Sequence, residues 1–224
     1  MRPIDGGGYV LAVADGIGGG PGGQEASRLA LQSFDDAVGV DVRDSTRLVS
    51  AVSLANRRVF DLGQHQADLA GLGTTLTAAV ILPHRLLLAH VGDSRAYQIQ
   101  GGRLERLTVD HSVAGEMERA GTLTSDEAEH HPRKHVLTRA VGPYEKVSVD
   151  VIDMEWPDDA WLLLCTDGLT SVLSDADIFD ICQIASGSDL INRLIAKALD
   201  RGGPDNITVV VAHDVIEEGD PNGR

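Results

Sequence analysis

A chain of 224 residues can bury one substantial core, or two small ones. Its 19 basic and 34 acidic residues leave a formal charge of −15, which excludes a nucleic-acid backbone or an anionic membrane as a partner held by the overall field. Two cysteines, Cys165 and Cys182, give neither a disulfide framework nor zinc spacing. No apolar run approaches the roughly 20 residues that span a bilayer. Met1-Arg2-Pro3 leads into a glycine turn rather than a signal peptide, so the expected location is the reducing cytoplasm.

After the turn at 5–8, residues 9–14 read as a short apolar strand that stops at Asp15 and the glycine-rich loop 16–23. Ala26, Leu29, Ala30, Phe34 and Val38 then recur at helical spacing. Leu48, Val52, Ala55, Val59 and Leu62 make the apolar stripe of a second helix. Segments 74–82 and 85–91 are apolar on both faces, as in strands lying between other layers. Residues 95–100 and 103–108, joined by Gly101-Gly102, predict a hairpin. A polar, mostly helical stretch covers 112–131, strands return at 146–154 and 161–166, and helices follow near 175–185 and 189–200. A last strand covers 207–216. Runs of strands punctuated by paired helices predict a layered α+β domain over residues 1–216, with 217–224 a polar tail.

Three aspartates share one context. Asp15 and Asp167 each end an apolar strand and precede a glycine. Asp205 directly precedes the strand at 207–212. A carboxylate at the mouth of a buried strand is held rigidly yet reaches solvent, and several together repel unless a cation neutralises them. Hard divalent ions such as Mg²⁺ or Mn²⁺ prefer oxygen ligands and keep several waters, and two of them can activate a water against a phosphoryl group. Each aspartate alone reads equally as a turn residue, since Asp-Gly is a common turn dipeptide.

The Gly18-x-Gly20-x-x-Gly23 spacing matches a dinucleotide fingerprint. Asp15 would stand where pyrophosphate charge has to be accommodated, and the segment after the helix is another helix rather than a strand ending in an acid. Nucleotide binding is therefore set aside. His130 and His131 suit a solvated helix end better than a metal pair, and His111 suits either proton donation or a structural hydrogen bond.

Seven segments, in order, make the chain resemble the type 2C (PPM) family of metal-dependent protein phosphatases in its bacterial form. They are VADGIGG (13–19), GTT (73–75), VGDSR (91–95), LTVDHS (107–112), LTRAVG (137–142), CTDGL (165–169) and GPDNIT (203–208). The resemblance implies a four-layer α-β-β-α sandwich with two central antiparallel sheets. It implies catalysis through metal-activated water held by Asp15, Asp167 and Asp205. Asp15 would bridge two Mn²⁺ or Mg²⁺ ions, Gly16 would offer its carbonyl to the first, and Asp167 and Asp205 would bind the second. Asp110 matches a position that can hold a third ion with Asp167. Asp93 and Arg95 would be structural, and a flap would span about 112–137.

Implied partners are phosphorylated serine/threonine proteins and a cognate serine/threonine kinase, with the chain acting as a monomer. The family's first edge strand, which carries a phosphate-gripping arginine and an acidic motif, is expected to be missing, because only 14 residues precede Asp15. Arg2 and Asp5 follow a similar order but lie too close to Asp15. Gly20 and Gln24 replace a frequent histidine and glutamate, both tolerated. The alternative reading is a catalytically weak or inactive module of the same fold that binds a phosphoprotein or kinase.

Overall fold

The computed structural model describes residues 1–5, 7–18, 20–66, 69 and 71–213. Residues 214–216 of the last expected strand and the tail 217–224 lie outside the described residues. The elements, in chain order, are β1 (Arg2–Pro3), β2 (Tyr9–Val13), β3 (Gly16–Ile17), α1 (Pro21–Val38), α2 (Ser45–His65), β4 (Gly73–Thr74), β5 (Leu76–Leu82), β6 (Arg85–Val91), β7 (Arg95–Gln100) and β8 (Arg103–Arg106). Then come α3 (Val113–Arg119), α4 (Ser125–Glu129), β9 (Asp150–Glu155), β10 (Trp161–Cys165), α5 (Asp167–Thr170), α6 (Asp175–Cys182), α7 (Gly187–Asp200) and β11 (Val209–His213).

Two antiparallel sheets carry the fold, one ordered β1-β2-β5-β6-β9 and the other β11-β10-β7-β8. Strand β5 shows why they stack. Its alternate side chains point to opposite faces. Leu76, Ala78, Val80 and Leu82 meet α1 and α2 through Phe34, Leu48, Val52 and Val59. Ala79 and Ile81 instead face the second sheet, packing with Leu11, Leu86, Leu162 and Leu164. Beyond that sheet Tyr97 and Leu163 pack against Ile178, Leu190 and Leu194 of α6 and α7. The result is the expected four-layer α-β-β-α sandwich. Among the described residues no helix is long and apolar enough to cross a membrane.

Three details depart from the sequence reading. The stretch 112–131 is two helices: Gly121, at φ 69°, follows the first, and Thr124 starts the second with a capping box to Glu127. Strand β9 begins at Asp150 rather than Lys146, because its ladder ends at His90↔Asp150, one residue before β6 runs out. Asp167 does more than end a strand, since it opens the short helix α5.

Among the described residues β11 has only β10 as a hydrogen-bonded neighbour, and β1 pairs with β2 on the other sheet. Asp5 sits in the turn closed by Ile4 N–H donating to Gly8 O at 3.2 Å.

Candidate active site

The three aspartates come together at one end of the sandwich because their strand ends do. Asp15 follows β2 and is pinned by its own backbone: its N–H donates to Thr75 Oγ1 at 2.9 Å, and its carbonyl accepts from Thr75 N–H and Thr74 Oγ1, each at 2.8 Å. Gly16 has to be glycine, since a Cβ there would lie 2.1 Å from the Gly23 carbonyl oxygen at the start of α1. Gly168 repeats the device, with a Cβ 2.2 Å from Asn206 O. The Asp205 loop is thus pressed against the turn of Asp167. Thr166 N–H donates to Thr208 O at 3.1 Å, and Thr208 N–H returns to Thr166 Oγ1 at 3.0 Å.

Electrostatics report the convergence. The Asp15 carboxyl is pushed up to about 7, first by burial, then by its contact with and the charge of Asp167, then by Asp205. Its Oδ2 is buried and finds no donor. Burial, followed by the charges of Asp167 and Asp110, pushes Asp93 to about 8. Among the described residues no cation figures among the groups that set the Asp15 and Asp93 carboxyls. That is the condition a hard divalent cation satisfies, and the donor set, all oxygen, fits Mg²⁺ or Mn²⁺. Among the described residues no three His, Cys, Asp or Glu side chains close around one point. Asp15 and Asp205 line one cavity and Asp167 another, so water would complete any coordination shell, as Mg²⁺ ordinarily requires. The adjoining cleft, about 540 Å³, is lined by Asp15, Gly16, Asp205, Gln24 and Asn206 among others, none of them Arg or Lys.

Asp110 lines a small recess together with Asp167, and it is also held by an arginine. Arg95 grips it with Nη2–Oδ2 at 2.9 Å and Nε–Oδ1 at 3.0 Å. Its carboxylate is ion-paired and held below its ordinary value: burial raises it, but Arg95 outweighs that. Asp93, read from the sequence as structural, lines the same small recess as Asp110, Asp167, Arg95, Lys134 and His135. The available signal was its place at the end of an apolar strand, although it follows a glycine where Asp15 and Asp167 precede one. Arg95 is structural as expected, also meeting Tyr97 Oη at 3.3 Å and Asp175 at 3.5 Å.

The histidines take supporting places. His111 Nδ1 accepts from Gly92 N–H at 3.1 Å, and its Nε2 lies 3.1 Å from Asp150. His130 bonds the carbonyl of Asp126 in its own helix. Arg2 is bound far from the cleft, to Asp35 and to Gly39 O at 2.6 Å.

Residues 3–199 match the sequence model of the protein phosphatase 2C family. The chain belongs to that family. Among type 2C relatives, serine/threonine phosphatase stp of Listeria welshimeri is 36% identical over 222 residues, covering 94% of this chain and 86% of the relative. The solved PPM Ser-Thr phosphatase MsPP from Mycobacterium smegmatis, in complex with cacodylate, superposes with a TM-score of 0.83 at 38% identity, over 91% of this chain and 87% of that one. The catalytic domain of the phosphatase PstP in complex with two manganese ions gives 0.80 at 34% identity, over 94% and 89%. The family and the sandwich read from the seven type 2C segments are borne out.

Proposed function

We propose that this chain is a protein serine/threonine phosphatase that hydrolyses phosphoserine and phosphothreonine with two divalent cations, Mn²⁺ or Mg²⁺. The observation that carries the metal site is the half-buried Asp15 carboxylate, its Oδ2 buried without a partner, beside Asp167 and Asp205. Asp15, the Gly16 carbonyl, Asp167 and Asp205 would hold the ions, and Asp110 or Asp93, which line one recess with Asp167, would support a third. When bound, such ions supply Lewis-acid polarisation of the phosphoryl oxygens and lower the pKa of a water to near neutrality.

The chain's own residues do the positioning. Thr74 and Thr75 fix the Asp15 backbone, while Gly16 and Gly168 let the loops close to backbone contact. The stretch 112–137 forms a flap beside the recess that holds Asp93 and Asp167. The phosphatase domain covers residues 1–216, works as a monomer in the cytoplasm, and opposes a serine/threonine kinase.

One observation favours a second reading, a weakly catalytic module that binds a phosphoprotein or kinase: among the described residues no Arg or Lys lines the 540 Å³ cleft, and Arg2 is committed elsewhere. Both readings are separated by assaying p-nitrophenyl phosphate and a phosphothreonine peptide with Mn²⁺. Turnover that stops on chelation and falls about 100-fold or more in Asp167→Ala supports the enzyme. Metal binding without turnover supports the module, and turnover that survives both treatments overturns the metal site.

A further inference from the structure

Asp150, the first residue of β9, lies outside the cleft, yet its carboxylate touches three parts of the flap's frame. Oδ1 accepts from Arg139 Nη1 at 2.5 Å, while Oδ2 lies 2.8 Å from Arg119 Nη2 and 3.1 Å from His111 Nε2. His111 immediately precedes the flap, Arg119 ends α3 within it, and Arg139 follows its return. The backbone draws the flap's neck together at the same place. Ser112 bridges Leu137, Val113 N–H donates to Val136 O at 2.9 Å, and Thr138 N–H donates to His111 O at 2.8 Å. Glu116 of α3 adds a second anion, 3.0 Å from Arg139 Nη2 and 3.7 Å from Arg119 Nε.

Two arginines from opposite ends of the flap therefore share two carboxylates. Glu116 moves with the flap. Asp150 belongs to a strand paired along its whole length with β6, so it ties Arg119 and Arg139 to that sheet, as Arg106 of β8 ties Glu118 of α3 to the other. An isolated exposed ion pair contributes little. Asp150 is different: it is 30% exposed, and its removal leaves Arg119 and Arg139 with one anion between them. Next to the same neck in sequence, Lys134 and His135 line the recess with Asp93, Asp110 and Asp167.

We propose that Asp150 is a positioning residue: through Arg119, Arg139 and His111 it fixes the angle of the flap beside the carboxylate site, and so sets how a phosphorylated polypeptide is admitted. This rests on the phosphatase reading above. A small aryl phosphate does not need the flap's surface, whereas a peptide has to pass it.

The test uses the full chain with Asp150→Asn and Arg119→Gln, singly and together. Hydrogen exchange of peptides within 113–137 is measured without substrate, and kinetics with Mn²⁺ on p-nitrophenyl phosphate and a phosphothreonine peptide. Expected are faster exchange confined to the flap, a rise of about tenfold in KM for the peptide, and a kcat for p-nitrophenyl phosphate within about twofold of the parent. The double variant should be no worse than Asp150→Asn alone, because both changes remove one contact.

Unchanged flap exchange, or a parallel loss on both substrates, overturns the proposal. If Asp150→Asn does not fold, Arg119→Gln on the partly exposed end of α3 carries the same readouts. A parent protein without turnover would sink the phosphatase reading, and flap exchange would then decide the anchor by itself.

Discussion

Arg95 and Asp110 form a two-pronged ion pair, 2.9 Å from Nη2 to Oδ2 and 3.0 Å from Nε to Oδ1, with side chains only 8% and 13% exposed. Forming such a pair stabilises little, because both charges leave water. Breaking it strands a buried cation, at about 3–5 kcal/mol. Asp110→Ala should therefore cost stability at the lower end of that range in urea unfolding, since Asp175 and Glu129, each 3.5 Å from Arg95, offer partial replacement. Dependence on Mn²⁺ concentration should be unaltered. A variant as stable as the parent but with altered Mn²⁺ dependence would place Asp110 in the metal site.

His90 is fully buried beside His111, with ring centroids 4.6 Å apart, and its Nδ1 lies 2.9 Å from Thr77 Oγ1. Burial, then the neighbouring His111, lowers its pKa from 6.5 to about 3. The unfolded chain therefore binds a proton that the folded one refuses. The associated stability is complete above about 6.5 and is lost as pH falls toward about 3, by at most about 1.4 kcal/mol per pH unit. His90→Gln should flatten the decline of unfolding free energy between pH 6.5 and 5 relative to the parent. Parallel curves would mean that His90 does not carry it.

Gly168 holds the Asp167 turn against the Asp205 loop with no room for a methyl group, which would meet Asn206 O at 2.2 Å. Gly168→Ala should cost about 1–3 kcal/mol, as other overpacked contacts do. Because the strain falls between two carboxylates of the candidate site, the rise in Tm produced by Mn²⁺ should shrink as well. A variant with lower Tm but an undiminished Mn²⁺ response would show that the two loops can part without disturbing ion binding.

What could be read from the chain was what is local. Asp15 and Asp167 stand out because a two-sided apolar strand, an acid and a glycine are consecutive, and the same segments carry the backbone contacts that converge in space. The layers were legible in strands such as β5, whose both faces are apolar. Asp93 and Asp110 look alike in sequence, and only the position of Arg95 separates an ion-paired acid from an unpaired one. Asp150 carries no local mark at all. Its partners come from the flap and its flanks, and it gains meaning only once the β6–β9 ladder sets where β9 begins.

Asp15 sets function against stability. Its carboxyl is raised from 3.8 to about 7 by burial and by Asp167 and Asp205. A raised carboxyl stabilises the fold fully only below 3.8, and that contribution disappears as pH rises through about 7. At pH 8 the metal-free protein therefore holds a charge that its surroundings disfavour. Asp15→Asn keeps the shape and removes the charge, so in chelator at pH 8 the variant should be more stable than the parent by roughly 0.5–2 kcal/mol. Mn²⁺ should reverse the order. Saturation to about 100 times Kd adds about 2.7 kcal/mol to a protein that binds only when folded, and the parent should gain this while the variant gains little. Thermal unfolding of both proteins, with chelator and with Mn²⁺, reads all four values. Equal Mn²⁺ shifts in parent and variant would remove Asp15 from the ligand set, and a variant less stable in chelator would show that the Asp15 charge is already balanced within the fold.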